Sequence, residues 1–292
     1  MSPARRAVGV VARKDFRDAR RSKLLWGLTA LFVLFTGLIT YAANALGEVE
    51  SAVVALSFAA GPAQVFVPLA AFVGGYMAVV GERRTGSLKL LLGFPVTRGD
   101  ALLGKALGRS AVVAVTVLVG FGVATALTPA LFGTLPAEAL GLTAATLLLG
   151  LACTGFAVGA SGAVSTRGRA MALVIGAFVA FTFLWRFLLA GGYYLLNGAM
   201  PGKTVPAWYL LAERLNPLYA YADAAEYVLG QSIASIVTVR LRGGASTLPV
   251  AEQLQGSVPA FLEPWSAFAV LALWALVPLA IAARRFGRAN LG

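Results

Sequence analysis

Residues 61–132 read GPAQVFVPLAAFVGGYMAVV (61–80), GERRTGSLKLLLGFPVTRGDALLGKALGRS (81–110) and AVVAVTVLVGFGVATALTPALF (111–132). The first and last blocks contain no Asp, Glu, Lys or Arg, and Gln64 is the one strongly polar side chain in the first. At ~1.5 Å of rise per residue, ~20 apolar residues in a helix cross the ~30 Å of bilayer hydrocarbon. The middle block concentrates Arg83, Arg84, Lys89, Arg98, Lys105 and Arg109. The expected reading is two crossings joined by a short basic loop, and it organises the rest of the chain.

The same apolar signature recurs at 24–43, 140–164, 170–196 and 265–283, with Arg186 the one charge inside these stretches. Six spans therefore define an all-α membrane protein with a single transmembrane domain over residues 1–292. Pro68, Pro129 and Pro278 fall within spans, which membrane helices tolerate because neighbouring groups re-satisfy the freed carbonyls. The stretch Ala43-Asn44-Ala45 is A-x-A-like, but the apolar run of 24–43 exceeds the ~7–15 residues of a signal peptide, so it is read as a crossing.

Composition agrees. Of 292 residues, 59% are hydrophobic and 12% charged, against ~45–50% and ~25% in ordinary soluble domains; the mean hydropathy is +0.82. Histidine is absent and Cys153 is the single cysteine, which excludes a Ser–His–Asp triad, a histidine metal centre, a CxxC pair and an intrachain disulfide. No metal site and no catalytic residue is expected, and an intramembrane enzyme would lack its acid–base groups. An ion-coupled secondary carrier commonly places Asp, Glu or His inside its spans, and these spans hold none. A non-transporting membrane scaffold is the other alternative.

The net charge of +12 is explained by topology. Nineteen of the 24 Lys and Arg residues lie before the first span, between spans two and three, between four and five, or after six. Glu48, Glu50 and Glu138 occupy the alternate loops. By the positive-inside rule both termini and the 81–110 loop are expected to be cytoplasmic, in a prokaryotic plasma membrane. The basic residues meet anionic lipid headgroups, and no nucleic-acid partner is expected.

Two segments do not cross. Residues 4–22 place Val8, Val11, Ala12, Phe16 and Ala19 on one stripe with Arg13, Lys14, Arg17, Arg20 and Arg21 mostly elsewhere. This predicts an amphipathic interfacial helix; a plain positive anchor for the first span is the open alternative. Residues 197–264 form a long extracytoplasmic segment, too long to be slack. Within it, 207–229 reads as short amphipathic helices broken at Asn216-Pro217, 232–239 as β-prone, 240–246 as turn-like and 251–261 as weakly helical.

The 81–110 loop has its own pattern. Leu88, Leu91 and Leu92 make an i, i+3, i+4 stripe on a short helix that Gly93 stops and Pro95 turns. Thr97 and Asp100 fit a capping box opening the next helix, with Leu102, Leu103 and Leu107 leading into span three. An apolar stripe on such a loop either rests on the bilayer or is covered by a partner. Gly99-x-x-x-x-Gly104-Lys105-Ala106 nearly matches a phosphate-binding loop, but Ala106 stands where Ser or Thr would hold magnesium and no strand precedes it. Nucleotide binding by this chain is not expected.

The run Glu82-Arg83-x-x-Gly86-Ser87-Leu88-x-Leu90-Leu91-Leu92-x-x-Pro95-Val96-x-Arg98-x-Asp100-x-x-x-Gly104-Lys105 resembles the signature loop of ABC-2 type permeases, the membrane subunits of one class of ABC transporters. The likeness extends to the basic N-terminus, the six spans, the long segment before span six and the tail Ala283-Arg284-Arg285-Phe286. The resemblance implies a permease, an exporter in this reading, coupled to a separate ABC ATP-binding subunit that carries ATP and Mg. This chain would bind no cofactor and would pair as a homodimer or with a second permease. It further implies a cytoplasmic coupling helix whose ATPase-docking residues are Glu82, Arg83, Gly86, Leu88, Lys89, Leu91, Leu92, Pro95 and Arg98. The 197–264 segment would resemble the family's re-entrant helices that cap the pathway.

Two features inside the spans remain open between roles. Arg186 either snorkels to the outer headgroups or recognises an anionic substrate. Gly155 and Gly159 form a G-x-x-x-G notch for packing within one subunit, a dimer seam or the pathway. Cys153 beside them reads as a small apolar filler.

Overall fold

The computed structural model describes residues 3–47, 49, 51–94, 96–233, 235, 237, 248, 250–254 and 257–288. In chain order the helices are α1 (Pro3–Ala19), α2 (Lys23–Ala45), α3 (Ala52–Gly75), α4 (Val80–Thr85), α5 (Ser87–Leu92), α6 (Arg98–Phe132) and α7 (Glu138–Ala163). They continue with α8 (Arg167–Val179), a π-helical turn (Ala180–Leu184), α9 (Trp185–Asn197), α10 (Ala207–Arg214), α11 (Pro217–Leu229), α12 (Val250–Gln253) and α13 (Ser266–Arg288). Six helical segments are long and apolar enough to cross a membrane: α2, α3 with α4, α6, α7, the α8–α9 unit and α13. No strand occurs among the described residues. The β-prone reading of 232–239 and the turn at 240–246 fall largely outside the described residues, as do Glu48, Glu50 and Pro95.

Helix starts follow local chemistry. Ser22, Ser51 and Thr166 each accept a hydrogen bond from the backbone three residues on, capping α2, α3 and α8. Thr97 and Asp100 form the expected reciprocal box at the head of α6. Asn216 caps α11 with Pro217 at its first position, so the break expected there is present. Of the weak helix of 251–261, the described residues show α12 and a 3-10 turn at Ala260–Leu262.

The core sits on α3 and α7, whose small residues let neighbours approach closely. Gly75 lies against Ala157, and Gly120 of α6 is covered by the ring of Phe32 from α2. Thr29 and Thr116 join α2 to α6 through hydroxyls 2.8 Å apart. By contrast, α2, the α8–α9 unit and α13 keep large side chains exposed, including Leu34, Phe35, Leu38, Ile175, Phe187, Leu188, Leu276 and Ile281. Lipid is the medium that covers such a rim.

Two departures from a plain six-helix reading matter later. First, α6 has 35 residues and is about 52 Å long, well beyond the ~30 Å of hydrocarbon. Its first turns therefore project at the end of the bundle where the Lys and Arg cluster, here called the basic end. Second, the fifth crossing is interrupted by the π turn, which the sequence reading took as continuous helix. The Asn216 side-chain amide donates to the Phe181 carbonyl at 2.7 Å, so a group from another element satisfies a carbonyl within the turn.

Candidate functional site at the basic end

The loop between crossings two and three folds as a knuckle. Gly86 stands between α4 and α5 with φ of +74°, a left-handed conformation that glycine adopts without a Cβ penalty. The hydroxyls of Thr85 and Ser87 meet across it at 2.8 Å.

Behind the knuckle lies a cluster of charges. Glu82 Oε1 is 2.8 Å from both Lys105 Nζ of α6 and Lys14 Nζ of α1. Lys105 Nζ is also 3.4 Å from Asp15 Oδ1, and Arg109 Nε reaches Asp15 Oδ2 at 2.5 Å. The same guanidinium donates to the Gly74 carbonyl near the end of α3 at 2.9 Å. Lys105 and Asp15 side chains are each 2% exposed. Asp18 approaches Lys14 at 3.5 Å, so three acids face three bases. Burial works against the charge of Lys14, but the hydrogen bond and charge of Glu82, helped by Asp18, hold its pKa above the ordinary lysine value.

This cluster fastens α1, α3, α4 and α6 together. Gly104 and Gly108 of α6 provide the notch: a Cβ at Gly104 would strike Val11, and one at Gly108 would strike the Ala12 carbonyl and Asp15. The apolar stripe of α1 is thus covered largely by α6, with Val11 and Ala19 buried. The near match to a phosphate loop gains a structural account, since Gly104 seats α1 and Lys105 belongs to the ion cluster.

Several residues expected at the docking surface turn inward as braces. Arg83 donates to the Val164 carbonyl at 3.2 Å, and its guanidinium stands 5.4 Å from the ring centre of Phe286. Arg98 covers the same buried ring at 5.7 Å and donates to the carbonyls of Phe286 and Gly287, 2.7 and 3.0 Å away, tying down the end of α13. Leu91 packs against a buried cluster that includes Ala78, Val79, Leu102 and Phe286. The side chains of Leu88, Lys89 and Leu92, and all of Pro95, lie outside the described residues.

What faces outward is different. Leu90 is 73% exposed and Phe94 is 66% exposed, beside exposed Arg84 and Thr85. The i, i+3, i+4 spacing does not mark these two residues, because Leu90 falls off the stripe of Leu88, Leu91 and Leu92 and Phe94 lies beyond Gly93. A short helix with a brace at Leu91 presents Leu90, its neighbour ~100° round, to the outside.

The features inside the spans are also placed. Gly155 abuts the backbone at Ala275, Gly159 that at Pro278, and Gly162 approaches Ala282, so α7 and α13 run parallel with α13 of the same chain filling that face. Cys153 is a buried free thiol in the core. Arg186 lies on α9 with its guanidinium 4.9 Å from the ring centre of Phe187.

The sequence from residue 10 to 291 matches the profile of the ABC-2 family of transporter proteins. Six apolar crossings and the braced knuckle accord with this, and the chain belongs to that family: it is the multi-pass membrane subunit of an ABC transporter. It is similar to the Probable ABC transporter permease protein NosY of Pseudomonas aeruginosa, 31% identical over 289 residues, covering 96% of this chain and 98% of that protein. It is also similar to the protein of the same description from Stutzerimonas stutzeri, 33% identical over 222 residues, covering 72% of this chain and 78% of its relative.

Proposed function

We propose that this chain forms the translocation pathway of an ABC exporter, working as a pair of permease subunits driven by separate ATP-binding subunits. The basic end, with both termini, faces the cytoplasm in this reading, as the distribution of Lys and Arg supports. The observation that carries the proposal is the division of the knuckle into an inward face and an outward face. Leu90 and Phe94 stand exposed, with no other described residue covering them, and exposed Arg84 lies beside them. The ATPase would cover them. Glu82, Arg83 and Arg98 would serve as braces, so that a push on α4–α5 is delivered through the ion cluster to α1, α3 and α6 as one body. Movement of these helices against α10–α11 at the opposite end would then open and close the pathway in alternation.

The test is co-purification of the detergent-solubilised complex carrying Leu90→Glu with Phe94→Glu. Both side chains are exposed, so the permease should remain folded, with an unchanged melting temperature, and should lose its ATPase subunit. Retention of the ATPase at the wild-type ratio would remove the docking role and, with it, the proposed route of coupling.

A further inference from the structure

A cavity of about 510 Å³ opens between the fifth crossing and the α7–α13 pair. Phe156 and Gly159 of α7, Trp274 and Pro278 of α13, Leu173 of α8 and Trp185 of α9 line it, and no charged side chain does. It is of the size that holds small ligands, ~300–1,000 Å³. Apart from Leu215, which lies between α10 and α11, the lining residues belong to membrane-crossing helices, so the cavity faces hydrocarbon along most of its length, and an occupant from that medium carries an apolar chain.

The basic end of the cavity is marked by Ala163, Leu173 and Ile281. Arg167 and Arg169 precede Leu173 by one to two helical turns, and Arg284 and Arg285 follow Ile281 by one. Because α7 and α13 run parallel and α8 begins directly after α7, these four arginines gather at the same level. All four are exposed and none forms an ion pair among the described residues. No Asp or Glu occurs between residues 139 and 212 or after 263, so the elements that carry them offer no acid.

From this pairing of an apolar chamber with an uncompensated cationic rim, we infer that the cavity is a binding site for an anionic phospholipid. Its acyl chain would lie between the fifth and sixth crossings and its phosphate among Arg167, Arg169, Arg284 and Arg285. The charge pattern selects the headgroup and the chamber holds the chain, which separates a site from general attraction of basic residues to a charged leaflet. A chain in this position also fills the space beside the loosely packed α8, on the approach to the π turn.

Native mass spectrometry tests this on the intact transporter, exchanged into vesicles of equal phosphatidylglycerol and phosphatidylcholine and then released into gas-phase ions. The wild type should retain phosphatidylglycerol over phosphatidylcholine by on the order of tenfold, as one or two extra basic contacts give. Changing all four arginines to Gln should bring that ratio close to one. Leu273→Trp, which adds apolar volume at the cavity lining and leaves every charge in place, should remove retention of both lipids. Equal retention of the two lipids by the wild type, or undiminished retention by Leu273→Trp, overturns the site. So does efficient disulfide formation between copies through Leu273→Cys in a Cys153→Ala background, because a second copy would then occupy the groove.

Discussion

The two ends of the bundle are fastened by different chemistry. At the basic end, α1, α4 and α6 are joined by full charges on Lys14, Asp15, Glu82, Lys105 and Arg109, and Arg109 ties in α3 through the Gly74 carbonyl. At the opposite end, α10 and α11 are held chiefly by neutral donors giving to backbone carbonyls. Gln64 of α3 donates to Leu218, Asn216 to Phe181, Trp185 to Ala212 and Trp274 to Leu215, at 2.7–3.0 Å. Tyr221 meets Thr146 of α7 at 3.0 Å, and Arg214 with Asp223 supplies an ion pair. An unpaired charge in a low-dielectric interior is costly, whereas an amide or indole N–H is matched by one carbonyl. Charge is thus used where α6 projects beyond the hydrocarbon, and neutral dipoles predominate where α11 tucks between α3, α7 and α13. The lesson is mechanical. A charge cluster fails abruptly when one member is removed, and a set of separate hydrogen bonds fails one at a time.

Removing a member of the cluster should produce the largest effect. Asp15→Ala leaves Lys105 nearly buried with one acid fewer and strips Arg109 of its carboxylate, and loss of one partner from a buried pair costs about 3–5 kcal/mol. Thermal unfolding of the purified permease should fall well below wild type, with detachment of α1 seen as faster proteolysis after Arg13 and Arg17. Asp15→Leu combined with Lys105→Met and Arg109→Leu should recover much of the loss, because replacing a whole buried ionic group with apolar residues is often near neutral. A triple variant no more stable than Asp15→Ala would show that the charges themselves are required.

At the opposite end, Asn216→Ala removes the cap of α11 and the donor to Phe181 together. A lost cap costs about 1 kcal/mol and an unsatisfied buried carbonyl about 1–3 kcal/mol, so the expected drop in stability is smaller than for Asp15→Ala. Hydrogen exchange should rise locally, at the π turn and the start of α11, with the basic end unchanged. Exchange rising over the whole bundle instead would mean that the two ends are not separately fastened.

How much of this is legible in the sequence depends on the distance between cause and effect along the chain. The Thr97–Asp100 box, the Asn216-Pro217 break and the six apolar runs are set by residues within one or a few turns, and all are readable. The π turn is not, because the donor that satisfies Phe181 arrives from residue 216. Nor is the ion cluster: Lys105 and Asp15 are 90 positions apart, and each alone reads as a solvated surface charge. The direction of the knuckle's leucines was half readable. Spacing placed Leu88, Leu91 and Leu92 on one stripe, but only the position of Val79, Leu102 and Phe286 turns Leu91 inward and leaves Leu90 and Phe94 outside. The notch at Gly104 and Gly108 stands in the sequence as a four-residue repeat of glycine, but the helix that fills it, α1, lies about 90 positions away and is not named by the repeat.

The smallest effect should come from Lys14, and it sharpens the comparison most. Lys14 touches Glu82 at the same 2.8 Å as Lys105 does, but its side chain is 50% exposed where that of Lys105 is 2% exposed. Water screens the exposed pair, so Lys14→Met should cost less than about 1 kcal/mol, and Glu82 keeps Lys105 as its partner. The sign of the pH dependence follows from the raised pKa of Lys14. A base held more firmly protonated in the folded state contributes its stabilisation fully below its ordinary value of 10.5, and that contribution is lost as pH climbs through the raised value. Melting curves of wild type and Lys14→Met should therefore differ by a small, constant amount from pH 7 to about pH 10 and converge above it. A difference as large as that of Asp15→Ala would place Lys14 inside the cluster, and the boundary between its buried core and its solvated edge would have to be redrawn around α1.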